Sequence, residues 1–188
     1  MTVPSNLGYL ALALLVGGES LGLWLPGETA MLTAGALAHS GALDIALVLP
    51  IAAGAAIVGD GIGYLLGRRG VRMLLVMRGP MRERRVQLVE RGERFFARHG
   101  APAVFLGRWV AFARVTVPWL AGASGMPARR FFFYNALGGI SWSATVALAG
   151  YAFGLAAAGV FASTTVAVLV LLLVLGLRAA WRSRSSRA

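Results

Sequence analysis

Residues 101–125 read APAVFLGRWVAFARVTVPWLAGASG. The stretch is apolar, contains Pro118, and carries two arginines, Arg108 and Arg114. Whether it crosses a membrane once or turns back decides the topology of everything around it. The flanking segments supply the test. Residues 67–100, GRRGVRMLLVMRGPMRERRVQLVERGERFFARHG, hold ten Arg against three Glu, and Arg-rich loops are retained on the cytoplasmic side. If 101–125 crossed, Arg129 and Arg130 would face outward, and so would the Arg-rich tail 178–188 after two further spans. If it turns back, all three basic regions share the cytoplasmic face. The sequence therefore predicts a re-entrant hairpin over 101–125, with its break at 111–117 before Pro118.

That a membrane is involved follows from composition. Of 188 residues, 58% are hydrophobic and only 13% charged, with a mean hydropathy of +0.73. Soluble domains lie near half apolar and a quarter charged, so the chain is expected to be one all-α integral membrane domain, 1–188. The net charge of +11 comes from arginine alone. It clusters beside apolar spans, as topology signals and contacts for anionic lipid do, which argues for a lipid surface and against nucleic acid as partner. There is no cysteine, which excludes disulfides, thiolate metal sites and a Cys nucleophile. His39 and His99 lie far apart in sequence, and no metal site or cofactor is expected.

Residues 7–18 and 29–40 are two apolar stretches, each too short for the roughly 30 Å hydrocarbon layer, which needs about twenty helical residues. Between them lies LGLWLPGE. Two half-length helices joined by a Pro-Gly break predict a first re-entrant hairpin over 7–40; irregular backbone at membrane depth is tolerated where protein or a water-filled cavity covers it. Spans are predicted at 43–66, 131–154 and 160–177, and a basic cytoplasmic amphipathic segment at 67–100. There Met81, Leu88, Val89, Phe95 and Phe96 gather on one side and Glu90–Arg94 forms an i,i+4 pair. The two hairpin–span units enter from opposite faces, the inverted-repeat logic of secondary transporters.

Five ionisable residues fall within these segments: Glu19, Glu28, Asp60, Arg108 and Arg114. No Lys or Arg precedes Arg68, so nothing nearby in sequence balances the first two. Charges at membrane depth are costly unless paired or hydrated, and they mark function. Three acids against two bases leave one carboxylate over, which is expected to carry a proton. On an unbroken helix Arg108 and Arg114 would point about 120° apart; a hairpin break brings both into one cavity, where guanidinium forks match phosphate oxygens. Half-helix N-termini beside Pro26 and Pro118 would add positive potential for the same anion. Asn135 and Trp142, on one span, are candidate lining residues. The glycines of GDGIGYLLG (59, 63, 67) repeat every fourth position and predict close helix contact.

These stretches resemble a known family. GESLGLWLPGE, GDGIGYLLGRRG, GRWVAFARVTVPWLAG and FFFYNALGGISW…GY look like the successive motifs of DedA proteins, relatives of the VTT-domain scramblases, over residues 18–154. Ser20 stands where Asn is usual, Trp24 and Ala111 where Pro is usual, and Trp109 where Phe is usual. The resemblance implies a bacterial inner-membrane transporter of a phosphate-bearing lipid, undecaprenyl phosphate or a phospholipid such as phosphatidylethanolamine, driven by proton-motive force and not an enzyme. Its functional acids and arginines fall on Glu19, Glu28, Asp60, Arg108 and Arg114. Arg108 and Arg114 are expected to hold the headgroup, and Glu19, Glu28 and Asp60 to form the proton-coupling charge network. A lipid phosphatase would need a general acid/base with phosphate ligands, and the sequence offers no His near these charges and no metal-ligand cluster; a proton-coupled small-solute exchanger could use them; a scaffold would not need them. Monomer and homodimer are both left open.

Overall fold

The computed structural model of the chain describes residues 5–76 and 82–154, and every regular element among them is an α-helix. α1 (Ser5–Leu21), α2 (Gly27–His39), α3 (Ile45–Val76), α4 (Arg82–His99), α5 (Pro102–Gly107), α6 (Ala111–Ala123) and α7 (Ala128–Phe153) follow in order. Among the described residues two stretches, Ile45–Gly70 and Ala128–Phe153, are long and apolar enough to cross a membrane. The span at 160–177, the basic tail 178–188 and Met81 lie outside the described residues.

α1 and α2 fold back on each other across residues 22–26. The turn begins at Gly22, whose φ of 112° is a left-handed conformation that side chains other than glycine rarely adopt. Their far ends meet at the start of α3: the backbone N–H of Asp44 donates to Tyr9 Oη at 2.8 Å, and Leu43 lies against Gly8. α5 and α6 make a second folded-back pair. Gly100 and Ala101, before it, line the same cleft as Ser124, Gly125, Met126 and Pro127, after it. The chain thus leaves residues 101–125 at the end where it began them. That end is the far end of α3, because Tyr64 Oη donates to the Met126 carbonyl at 2.6 Å and accepts from Arg68 Nη1 at 2.9 Å.

Two expectations need correction. The interruption in 101–125 falls at residues 108–110, not at 111–117. Val110 is extended (φ −112°, ψ 116°), and α6 then runs through Pro118 without ending. A proline seven residues into a helix forfeits one bond, to the Arg114 carbonyl, and here α6 is held against α3 at Pro118, Trp119 and Gly122. The second helix N-terminus accordingly lies at Ala111 and not beside Pro118. α3 also continues ten residues past its expected end at 66. Leaving an apolar layer does not stop a helix; arginine is a good helix former, and the first proline after Tyr64 is Pro80.

Two apolar cores flank a polar layer. One joins Leu12 and Val16 of α1, Met31 and Leu32 of α2, Val48, Ala52 and Ala56 of α3, and Trp142 and Val146 of α7. The other joins Tyr64, Phe96, Val104, Val117, Ala121 and Phe131. On α3 the first core ends at Ala56 and the second starts at Tyr64, so Asp60 sits one turn from each. The glycine repeat does what its spacing predicts. A Cβ at Gly59 would strike the Gly17 carbonyl of α1, and one at Gly67 the Trp119 carbonyl of α6. Gly122 answers from α6 against the Tyr64 carbonyl, and Gly35 of α2 and Gly150 of α7 interlock the same way.

Candidate functional site: a buried charge cluster between the two helix pairs

Each charged side chain of the cluster arrives on a different helix or helix end. Glu19 stands in the last turn of α1 and Glu28 in the first turn of α2, so the break between them turns both carboxylates toward one point. Asp60 comes from the middle of α3. Arg108 caps the C-terminus of α5, and Arg114 lies in the first turn of α6, its N–H bonded to the Val110 carbonyl at 2.9 Å. The 108–110 break is what lets two arginines six residues apart enter the same layer.

The charges divide into two sets. Arg108 is ion-paired to Asp60 through Nη1, and both side chains are almost completely buried, 5% and 3% exposed. The same guanidinium donates to Asn135 Oδ1 at 3.2 Å and to Ser20 Oγ at 3.3 Å. Asn135 is fixed in turn by donating Nδ2 to the Ile57 carbonyl at 3.1 Å. Arg114 engages two carboxylates: Glu19 through Nη2, and Glu28 through Nη1 at 2.9 Å. The surplus carboxylate predicted from the charge count therefore belongs to Arg114. Glu19 Oε2 also accepts the backbone N–H of Glu28 at 2.8 Å, placing its negative charge on the N-terminus of α2, where the helix dipole favours it. Gly27 is required beside it, since a Cβ there would collide with Glu19 Oε2 and the Leu15 carbonyl.

Trp142 of α7 closes the layer. Its ring centroid lies 5.6 Å from the Arg108 guanidinium carbon and 4.9 Å from that of Arg114. Glu19, Ser20, Asp60, Arg108, Arg114 and Trp142 surround a cavity of about 10 Å³, room for about one water. Among the described residues, Arg108 Nε and Arg114 Nε are buried without a hydrogen-bond partner. Unpartnered guanidinium N–H groups on two residues that line a small polar cavity are donors for an anion or for water.

All seven residues singled out from the sequence thus converge. Ser20 was missed as a site residue: a small neutral side chain next to Glu19 gives no charge signal, although its place where the family pattern has Asn was visible. Trp119, whose Nε1 ties α6 to the Leu21 carbonyl at 3.0 Å, was missed because an aromatic near a helix end reads as interfacial. His39 contacts Tyr151 and His99 contacts Phe95, both away from the cluster. Among the described residues no three His, Asp or Glu side chains are grouped to hold a metal.

The VTT domain matches residues 25–152 of the chain, which takes in Glu28, Asp60, both arginines, Asn135 and Trp142. The uncharacterized membrane protein Rv2637 of Mycobacterium tuberculosis is 37% identical over all of this chain and 88% of its own length. An uncharacterized membrane protein of Synechocystis is 37% identical over 76% of this chain and 66% of its own. The inner membrane protein YghB of Escherichia coli is 35% identical over 70% of this chain and 60% of its own. No solved structure matches. The chain belongs to the VTT-domain family of membrane proteins, the DedA family.

Proposed function

We propose that the protein carries a phosphate-bearing lipid, undecaprenyl phosphate in the first place, between the leaflets of a bacterial inner membrane, coupled to protons. The observation that carries this reading is the sharing of Arg114 by two carboxylates beside a second, deeper Arg108–Asp60 pair. In this conformation both guanidiniums are ion-paired to carboxylates and the cavity is too small for a headgroup. Phosphate oxygens present the same geometry to a guanidinium that carboxylate oxygens do. Protonating Glu19 or Glu28 removes a competitor, so Arg114 becomes available to an incoming phosphate. Returning the proton reverses the exchange. Tails stay in the bilayer while the headgroup passes the polar layer, which removes most of the cost of taking a charge through hydrocarbon.

In this account α1–α2 and α5–α6 are re-entrant hairpins in an inverted repeat, entering from opposite faces. Support comes from their open ends lying at opposite ends of α3, with Tyr9 and Asp44 at one and Tyr64, Arg68 and Met126 at the other. The second end bears exposed Arg68, Arg69, Arg129 and Arg130, which supports a cytoplasmic position for it in contact with anionic lipid. By its arginine content the tail 178–188, outside the described residues, is expected on the same side.

The test is headgroup translocation of a polyprenyl phosphate by the purified protein in proteoliposomes; an inactive but folded protein would refute the reading for that lipid. Phosphatidylethanolamine is then the next substrate, since the site contains carboxylates for its ammonium. A proton-coupled small-solute exchanger is the second reading, since the same carboxylates and arginines could serve it.

A further inference from the structure

Two cations share one small cavity, and their polar partners do not overlap. Asp60, Asn135 and Ser20 hold Arg108; Glu19 and Glu28 hold Arg114. Trp142 presents its ring to both guanidiniums. It comes from α7, a helix that carries neither arginine, and it is buried in the core formed with Leu12, Met31 and Val146. We propose that Trp142 is a positioning residue that keeps Arg108 and Arg114 together as one anion receptor when their carboxylates let go.

The chemistry follows from how the ring attracts a cation. An indole face binds a guanidinium without a counter-charge and leaves the planar edge, with its N–H donors, open to oxyanions. A carboxylate neutralises the arginine and competes with phosphate for those same donors. Without Trp142, release of the carboxylates would leave two like charges in a low-dielectric site, Arg108 held only by the neutral Asn135 and Ser20 and Arg114 by neither. The inference rests on the phosphate-lipid reading above and adds the residue that shapes the receptor.

The experiment uses farnesyl phosphate as probe and farnesol as its phosphate-free control, on the full chain carrying 5-fluorotryptophan. The chain has five tryptophans, and the Trp142 resonance is assigned by its loss in Trp142→Phe. Farnesyl phosphate should move that resonance and farnesol should not. Trp142→Leu should weaken farnesyl phosphate binding about tenfold, while Trp142→Phe, which keeps a ring face, stays within about threefold. Val146→Ala, in the same core, should lose stability but bind normally, separating receptor shape from core damage; Trp142→Met replaces the Leu variant if that one does not fold. Wild-type affinity in Trp142→Leu, or equal loss in the Phe and Leu variants, overturns the inference alone. A wild-type protein that binds farnesyl phosphate no better than farnesol overturns the phosphate-lipid reading and this inference with it.

Discussion

Glu19 and Glu28 are joined twice: the Glu19 carboxylate accepts the backbone N–H of Glu28 across the α1–α2 break, and both carboxylates bind Arg114. The two acids are not equivalent in consequence. Glu19 ties together α1, the N-terminus of α2 and α6, and is 14% exposed; Glu28 is 27% exposed and makes the arginine contact. Glu19→Gln should therefore lower stability by about 2 kcal/mol, in line with loss of hydrogen bonds to a charged group, and Glu28→Gln by less than half of that. Denaturation in detergent, followed by circular dichroism, checks the order; equal effects would mean that the Glu19–α2 contact adds nothing.

The Arg108–Asp60 pair predicts a different pattern. Removing one partner leaves an uncompensated buried charge, at a cost of about 3–5 kcal/mol, so Asp60→Leu and Arg108→Met should each be strongly destabilised. The double variant should recover most of that stability, because an apolar pair of similar volume needs no desolvation. Translocation should stay absent in the double variant. Recovery of stability with activity would reduce the pair to a structural element.

Those pairings show what could and could not be seen in the sequence. Five charges in apolar sequence stand out because each is costly where it lies. Which acid meets which arginine did not stand out: the partners are 48 and 95 residues apart, and no local spacing encodes contacts of that range. The glycine repeat at 59, 63 and 67 was legible because small residues four apart form one helix face; the answering glycine at 122 was not, because it stands alone in its helix. Pro118 drew the expected break too far along the chain. The interruption lies instead at 108–110, a stretch with no proline or glycine, set by the turn that carries Arg108 into the cavity.

Glycine contacts separate positions of the same residue type. Gly122→Ala should cost about 1–3 kcal/mol by forcing α6 off α3, the usual penalty of overfilling a close contact. Gly54→Ala, where a Cβ meets nothing within 4 Å, should be neutral or slightly stabilising, since alanine is the better helix former. Thermal unfolding of the two variants side by side decides this, and equal losses would contradict the α3–α6 contact.

Topology has its own test, made simple by a chain without cysteine. Gln87→Cys and Arg129→Cys should react with a membrane-impermeant maleimide from the cytoplasmic side, and Ser40→Cys from the opposite side. All three positions are exposed. Labelling of Gln87→Cys and Arg129→Cys from opposite sides would mean that 101–125 crosses the membrane.

Arg114 spreads Nη1 and Nη2 over two different carboxylates, a geometry an ammonium does not reproduce. Arg114→Lys and Arg108→Lys should each slow headgroup translocation by more than about tenfold with little loss of folded protein, given the loss of bidentate contact. Normal transport in both would remove the guanidinium fork from the mechanism.

The central claim is that the cluster exchanges carboxylate for phosphate under control of a proton. It is tested most directly by polyprenyl phosphate translocation in proteoliposomes, with and without an imposed pH gradient, comparing wild type with Glu28→Gln and Arg114→Ala. The account predicts that the gradient accelerates directional transport by wild type, that Glu28→Gln loses that response, and that Arg114→Ala transports nothing. Gradient-independent transport by wild type, unchanged in Glu28→Gln, would contradict it.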